Sequence, residues 1–189
     1  EEIAQNVAEK LGYSRLNGQV LQWAAKEFNV PEEKLLRTLH GSASLLDKFA
    51  SEKEKHIACI RAAIAQAVKS DNVVYHGFAG HLLPRTVSHI LKVCLVANRD
   101  YRIALAVEQG GLTQKNAAKT IRKDDEERKK WTQQLFNLGP WDKSLYDIKI
   151  PMHTTTPEEA INIICAHAGS DALKTTPESL KTMNDFVFS

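Results

Sequence analysis

Apolar positions in this chain fall into stretches at helical spacing, interrupted by a few short unbroken runs. Ile3, Ala4, Val7, Ala8 and Leu11 mark one face of a first helix, with Gly12 placed as its C-terminal cap. Val20, Leu21, Ala24 and Phe28 repeat the pattern within residues 19–28; Val30-Pro31 breaks it, and residues 32–39 resume it. Ser42 or Ser44 is placed to cap a short turn toward Phe49. Ile57, Ile60, Ala63, Ile64, Ala67 and Val68 predict a helix over 53–69, and Asp71-Asn72 turns the chain into Val73-Val74-Tyr75-His76. A second run covers Ile90 to Ala97 and a third Leu145 to Ile150. Helices are expected over 100–107, ending at Gly110-Gly111, and over about 113–135. Thr156-Pro157-Glu158-Glu159 reads as a capping box that opens a helix burying Ala160, Ile161, Ile164 and Ala168.

Short β-branched runs among helical segments predict buried parallel strands of an α/β sheet. Ligands of such sheets sit beyond the carboxyl ends of the strands. That rule draws attention to Gly77-Phe78-Ala79-Gly80-His81 after the first run and Asn98-Arg99-Asp100-Tyr101-Arg102 after the second. Residues 169–176 are linker-like, and Thr176-Pro177-Glu178-Ser179 looks like another helix start. One domain over 1–168 is therefore expected, followed by a linker or the start of a further segment over 169–189. The first helix opens without a capping residue, which leads us to expect residues upstream of Glu1, and the helix start at 176–179 leads us to expect a further domain downstream.

Composition changes this picture little. The 189 residues are 43% hydrophobic and 25% charged, which suits a soluble globular domain, and a net charge of +2 gives no argument for nucleic acid or an anionic membrane. No apolar run is long enough to span a bilayer. Cys59, Cys94 and Cys165 have no metal-ligand spacing and read as small core hydrophobes, in keeping with a reducing, cytoplasmic setting. Trp23, Trp131 and Trp141 read as packing residues, because no basic strand face accompanies them. Neither a metal cluster nor a Ser/His/Asp or Cys/His arrangement is readable.

The run Arg122 to Lys130 has no apolar residue over more than two helical turns. By itself it fits a solvated helix laced with surface ion pairs. Between two strand signals it equally fits a lid in which Arg122, Lys123 and Arg128 close over a transferring phosphate, with Asp125 holding Arg128 from one turn away. Gly77 and Gly80 would permit close approach of backbone to a phosphate or ribose, flanked by His76 and His81; a tight turn with exposed histidines is the plainer alternative. Arg37 is either a phosphate contact or the wet side of its helix.

Taken in order, these motifs resemble the cytidylate kinase-like branch of the nucleoside monophosphate kinases over roughly residues 1–168. Glu1-Glu2-Ile3-Ala4 through Leu11-Gly12-Tyr13 is similar to the helix after that family's phosphate loop. Val73 to Gly77 is similar to the strand entering the monophosphate site, and Ile90 to Ala97 with Arg102 to the next strand and the start of the lid. Ile121 to Arg128 resembles the lid segment with Asp and Arg three apart, and Tyr146-Asp147-Ile148 the strand after it.

The resemblance implies a three-layer P-loop fold with a parallel sheet and a helical lid over about 100–140. It also implies ATP and Mg2+, a phosphate loop before Glu1, and transfer to a cytidylate-like monophosphate or similar small acceptor. A non-catalytic nucleotide-sensing module is the competing expectation. Cytidylate-binding members commonly carry an Arg after the glycine at 77 and some an Asp after that; here Phe78 and Ala79 stand there and can make neither charge-assisted bond.

Overall fold

A computed structural model describes residues 1–16, 18–40 and 50–187. The chain divides into two compact units, one of residues 1–92 with 161–189 and the other of residues 93–160. The expected cap at Ser42 or Ser44 and the turn toward Phe49 lie outside the described residues.

In the first unit, helix α1 (Glu2–Leu11) buries Val7 and Ala8. It ends in a Schellman turn. Gly12 takes the left-handed conformation with φ 68°, its N–H donates to the Glu9 carbonyl at 3.2 Å, and the Tyr13 N–H donates to Ala8 at 2.8 Å. Strand β1 (Ser14–Leu16) then pairs in parallel with β2 (Val73–Tyr75), in the register Ser14–Val73 to Leu16–Tyr75. Strand β1 carries no hydrophobic signal of its own; its pairing partner makes it a strand.

Helices α2 (Gln19–Glu27), α3 (Glu32–His40) and α4 (Ala50–Ala67) pack on one another and supply Val20, Ala24, Leu35, Leu39, Ile60 and Ile64 to the core. Helix α4 starts three residues before the sequence reading. Phe28, expected inside, is 39% exposed, and Trp23 meets its ring edge-on at 6.1 Å rather than filling the core.

Thr38 on α3 is buried and meets the ring Nδ1 of buried His56 on α4 at 3.0 Å. The Lys34 ammonium donates to Glu52 at 2.8 Å, which holds the Glu52 carboxyl below its ordinary range.

In the second unit, β3 (Val93–Val96) and β4 (Ile148–Pro151) pair in parallel in the register Val93–Ile148 to Val96–Pro151. Helix α5 (Arg99–Glu108) is capped by Asn98, whose side chain accepts from the Tyr101 N–H at 2.8 Å. Helix α6 (Gln114–Phe136) is capped by Thr113 and ends at Asn137 in a left-handed turn. Two expected strands are shorter than their apolar runs. Residues 90–92 are irregular before β3, and Leu145 belongs to a 3-10 turn (Lys143–Leu145) fixed by Asp142, so β4 starts at Ile148.

Helix α7 (Pro157–Ala168) crosses from one unit to the other. Its capping box forms as read: the Thr156 N–H donates to the Glu159 carboxylate at 2.8 Å, and the Glu159 N–H donates to Thr156 Oγ1 at 3.2 Å. Those bonds hold the Glu159 carboxyl below its ordinary range. Helix α8 (Pro177–Val187) packs on α4 within the first unit, burying Met183 and placing Phe186 beneath the Arg61 guanidinium at 5.6 Å.

The α/β class and the parallel pairing are present, as two short two-stranded sheets among the described residues. Helical segments are expected between the strand runs, and between β2 and β3 the structure differs. No α-helix connects β2 to β3; residues 76–92 hold a single 3-10 turn (Phe78–Leu82), because Gly77, Gly80 and Pro84 punctuate the segment too densely for a helix. No described helix is long and apolar enough to cross a membrane.

Candidate functional site

Helix α6 is not polar all round. Ala117, Ile121 and Thr132 are buried, and Asp125 and Arg128 fall between them at helical spacing, so the inward face of the helix runs straight through its charged middle. Arg122 and Lys123 face outward, 70% and 75% exposed, in long ion pairs with Glu126 at 3.9 Å and Glu127 at 3.7 Å. Periodicity thus separates four candidate residues into two inward and two outward.

Asp125 accepts both guanidinium arms of Arg102, at 2.8 and 2.9 Å. Arg102 stands on α5, one turn beyond the carboxyl end of β3, so the fork joins the two helices that follow that strand. Asp125 therefore orients Arg102, where sequence spacing had suggested Arg128. Arg102, Leu105, Ala106 and Ile121 line an open groove of about 460 Å³.

Arg128 lies over the indole of Trp141, its guanidinium carbon 5.3 Å from the ring centroid. Tyr146 donates its hydroxyl to the Pro140 carbonyl at 2.8 Å, and Lys149 donates to the Trp141 carbonyl at 3.1 Å. Burial pushes the Tyr146 hydroxyl above the ordinary tyrosine range, helped by Cys94 and opposed by Arg128. Burial likewise pushes the Cys94 thiol up, opposed by its hydrogen bond with Tyr146 and by Lys149 and Arg128.

The other candidates belong to the first unit. The His76 N–H donates to Leu16 at 3.1 Å, which places the exposed His76 just past the paired ends of β1 and β2. Tyr75 turns back over the glycines that follow. Its hydroxyl accepts the Ala79 N–H at 3.3 Å, and burial pushes that hydroxyl up. A Cβ at Gly77 would collide with the Tyr75 hydroxyl and lie 2.9 Å from its ring carbon Cζ; one at Gly80 would lie 3.4 Å from the ring. Only glycine fits at 77 while Tyr75 keeps this position.

Phe78 meets the His40 ring edge-on at 4.9 Å, and His81 is half-buried within the 3-10 turn. Arg37 is on the wet side of α3, 79% exposed and 3.8 Å from Glu33. Among the described residues no group of three or more His, Cys, Asp or Glu side chains is gathered as a metal site.

Residues 1–154 match the model of the cytidylate kinase-like family. The chain belongs to that family, a family of the nucleotide-kinase kind, which implies a nucleotide substrate. No curated protein matches the chain.

Proposed function

We propose that the protein transfers the terminal phosphoryl group of ATP to a nucleoside monophosphate, cytidylate-like, or to a similar small phosphate acceptor. One observation carries this reading: the inward face of α6 places Asp125 and Arg128 where apolar residues would ordinarily stand, and gives each a defined partner. Charge on a partly covered helix face loses some of its hydration, a cost that pairing or use offsets. In this reading α5 and α6 are the lid of a three-layer P-loop domain, and Mg2+ enters with the nucleotide, keeping much of its water.

Phosphoryl transfer needs positioning and charge neutralisation more than covalent chemistry. Arg128 supplies charge to the equatorial oxygens of the transferring group, and Arg102, held by Asp125, meets the acceptor or donor phosphate. Arg122 and Lys123 give up only screened surface pairs when they turn toward phosphate. This reading assigns His76, His81 and Arg37 to the acceptor as hydrogen-bond donors, while Gly77 and Gly80 make room for the Tyr75 ring.

The test is a screen of the four ribonucleoside monophosphates and their deoxy forms with ATP and Mg2+, using the full-length protein. Turnover with at least one monophosphate, largely abolished in Arg128→Ala, supports the reading. Bound nucleotide without turnover for any acceptor would replace it with nucleotide sensing.

A further inference from the structure

We infer that Trp141 is a positioning residue for Arg128: its indole face helps hold the guanidinium where it meets the transferring phosphoryl group. The inference rests on the phosphotransfer reading above. Three observations support it. Arg128 stands on the inward face of α6 and lies over the Trp141 ring at 5.3 Å. The backbone carrying that indole is pinned at two consecutive carbonyls, Pro140 by the Tyr146 hydroxyl at 2.8 Å and Trp141 by the Lys149 ammonium at 3.1 Å. The residues just after it form a turn of their own, with the Asp142 N–H donating to Gly139 at 3.1 Å and the Asp142 carboxylate accepting from Ser144 at 2.8 Å.

A platform with so little freedom limits where the guanidinium above it can move. The ring quadrupole of the indole attracts the guanidinium and adds no net charge of its own. Trp141 had been read from the sequence as packing; an arginine 13 positions earlier in the chain gave no sign of the contact.

The experiment uses the full-length protein with ATP, Mg2+ and the best acceptor from the screen. Trp141→Leu and Trp141→Phe are each made alone and in the Arg128→Ala background. Trp141→Leu is expected to lower kcat about tenfold, with KM changed less than about twofold, as for an interaction realised in the transition state. Trp141→Phe, which keeps an aromatic face, is expected to restore most of that loss. In the Arg128→Ala background neither substitution should lower kcat further, because the two residues act as one unit.

Equal losses in the Leu and Phe variants, or an undiminished loss without Arg128, would overturn the inference and leave Trp141 a packing residue. If Trp141→Leu melts below the assay temperature, Trp141→Met takes its place and the same comparison decides. Wild-type protein inactive on every monophosphate overturns the phosphotransfer reading and this inference with it; active wild type with an indifferent Trp141→Leu overturns this inference alone.

Discussion

Cutting the Arg102–Asp125 fork should loosen the pairing of α5 and α6 by a measurable amount. The pair is bidentate, and its side chains are 27% and 37% exposed. Fully exposed pairs couple by about 0–1 kcal/mol, and losing one partner of a buried pair costs about 3–5 kcal/mol. A two-point fork about one-third exposed falls between, and we expect a coupling of about 1–2 kcal/mol. Asp125→Ala alone would understate it, because alanine regains about 0.5 kcal/mol of helix propensity at a mid-helix position.

The coupling is therefore read from the cycle of Asp125→Ala, Arg102→Ala and the double variant. Unfolding is followed by tryptophan fluorescence in a Trp23→Phe background, which leaves Trp131 and Trp141 as reporters within residues 93–160. For a chain of this size the expected coupling corresponds to roughly 2–8 °C in Tm. It should shrink in high salt, though less than for an exposed pair. A coupling below about 0.3 kcal/mol would mean that the fork holds nothing, and would remove Asp125 as the residue that orients Arg102.

Two further outcomes follow from the local geometry. Gly77→Ala should force Tyr75 off the turn and break its bond from Ala79, costing about 1–3 kcal/mol in denaturant unfolding, against about 1 kcal/mol for Tyr75→Phe; equal small effects would mean that the turn tolerates the Cβ. Tyr146 should stay protonated in the folded protein through the ordinary tyrosine range in a spectrophotometric titration compared with Tyr146→Phe. Since its folded pKa is raised, the associated stability is present below the unfolded tyrosine pKa and is lost as pH rises from there toward the folded value. Titration at the ordinary value would show that its hydroxyl is not held by burial.

How far the sequence could be read depended on whether the cause was local. The Gly12 cap, the Thr156–Glu159 capping box and α6 from Thr113 onward are set by residues within a turn of one another, and all were legible. Strand β1 was not, because Ser14-Arg15-Leu16 owes its conformation to hydrogen bonds with residues about 60 positions away. The apolar run at 90–97 overstated β3, since pairing with β4 begins only where Val93 meets Ile148.

The candidate site divides the same way. Spacing put Asp125 and Arg128 on one face, yet the partners that define their roles, Arg102 and Trp141, come from other segments. A periodicity check along 117, 121, 125, 128 and 132 would have marked the two as inward, and Arg122 and Lys123 as outward.

The central claim, that Arg128 serves chemistry, is tested most directly by one comparison. Single-turnover phosphotransfer by wild type and Arg128→Ala is measured with ATP, Mg2+ and the accepted monophosphate, alongside the affinity of each protein for both nucleotides. The account predicts a loss on the order of a thousandfold in the transfer rate, with affinities changed only a few-fold. Equal transfer rates in the two proteins, or a loss wholly explained by weaker nucleotide binding, would contradict it.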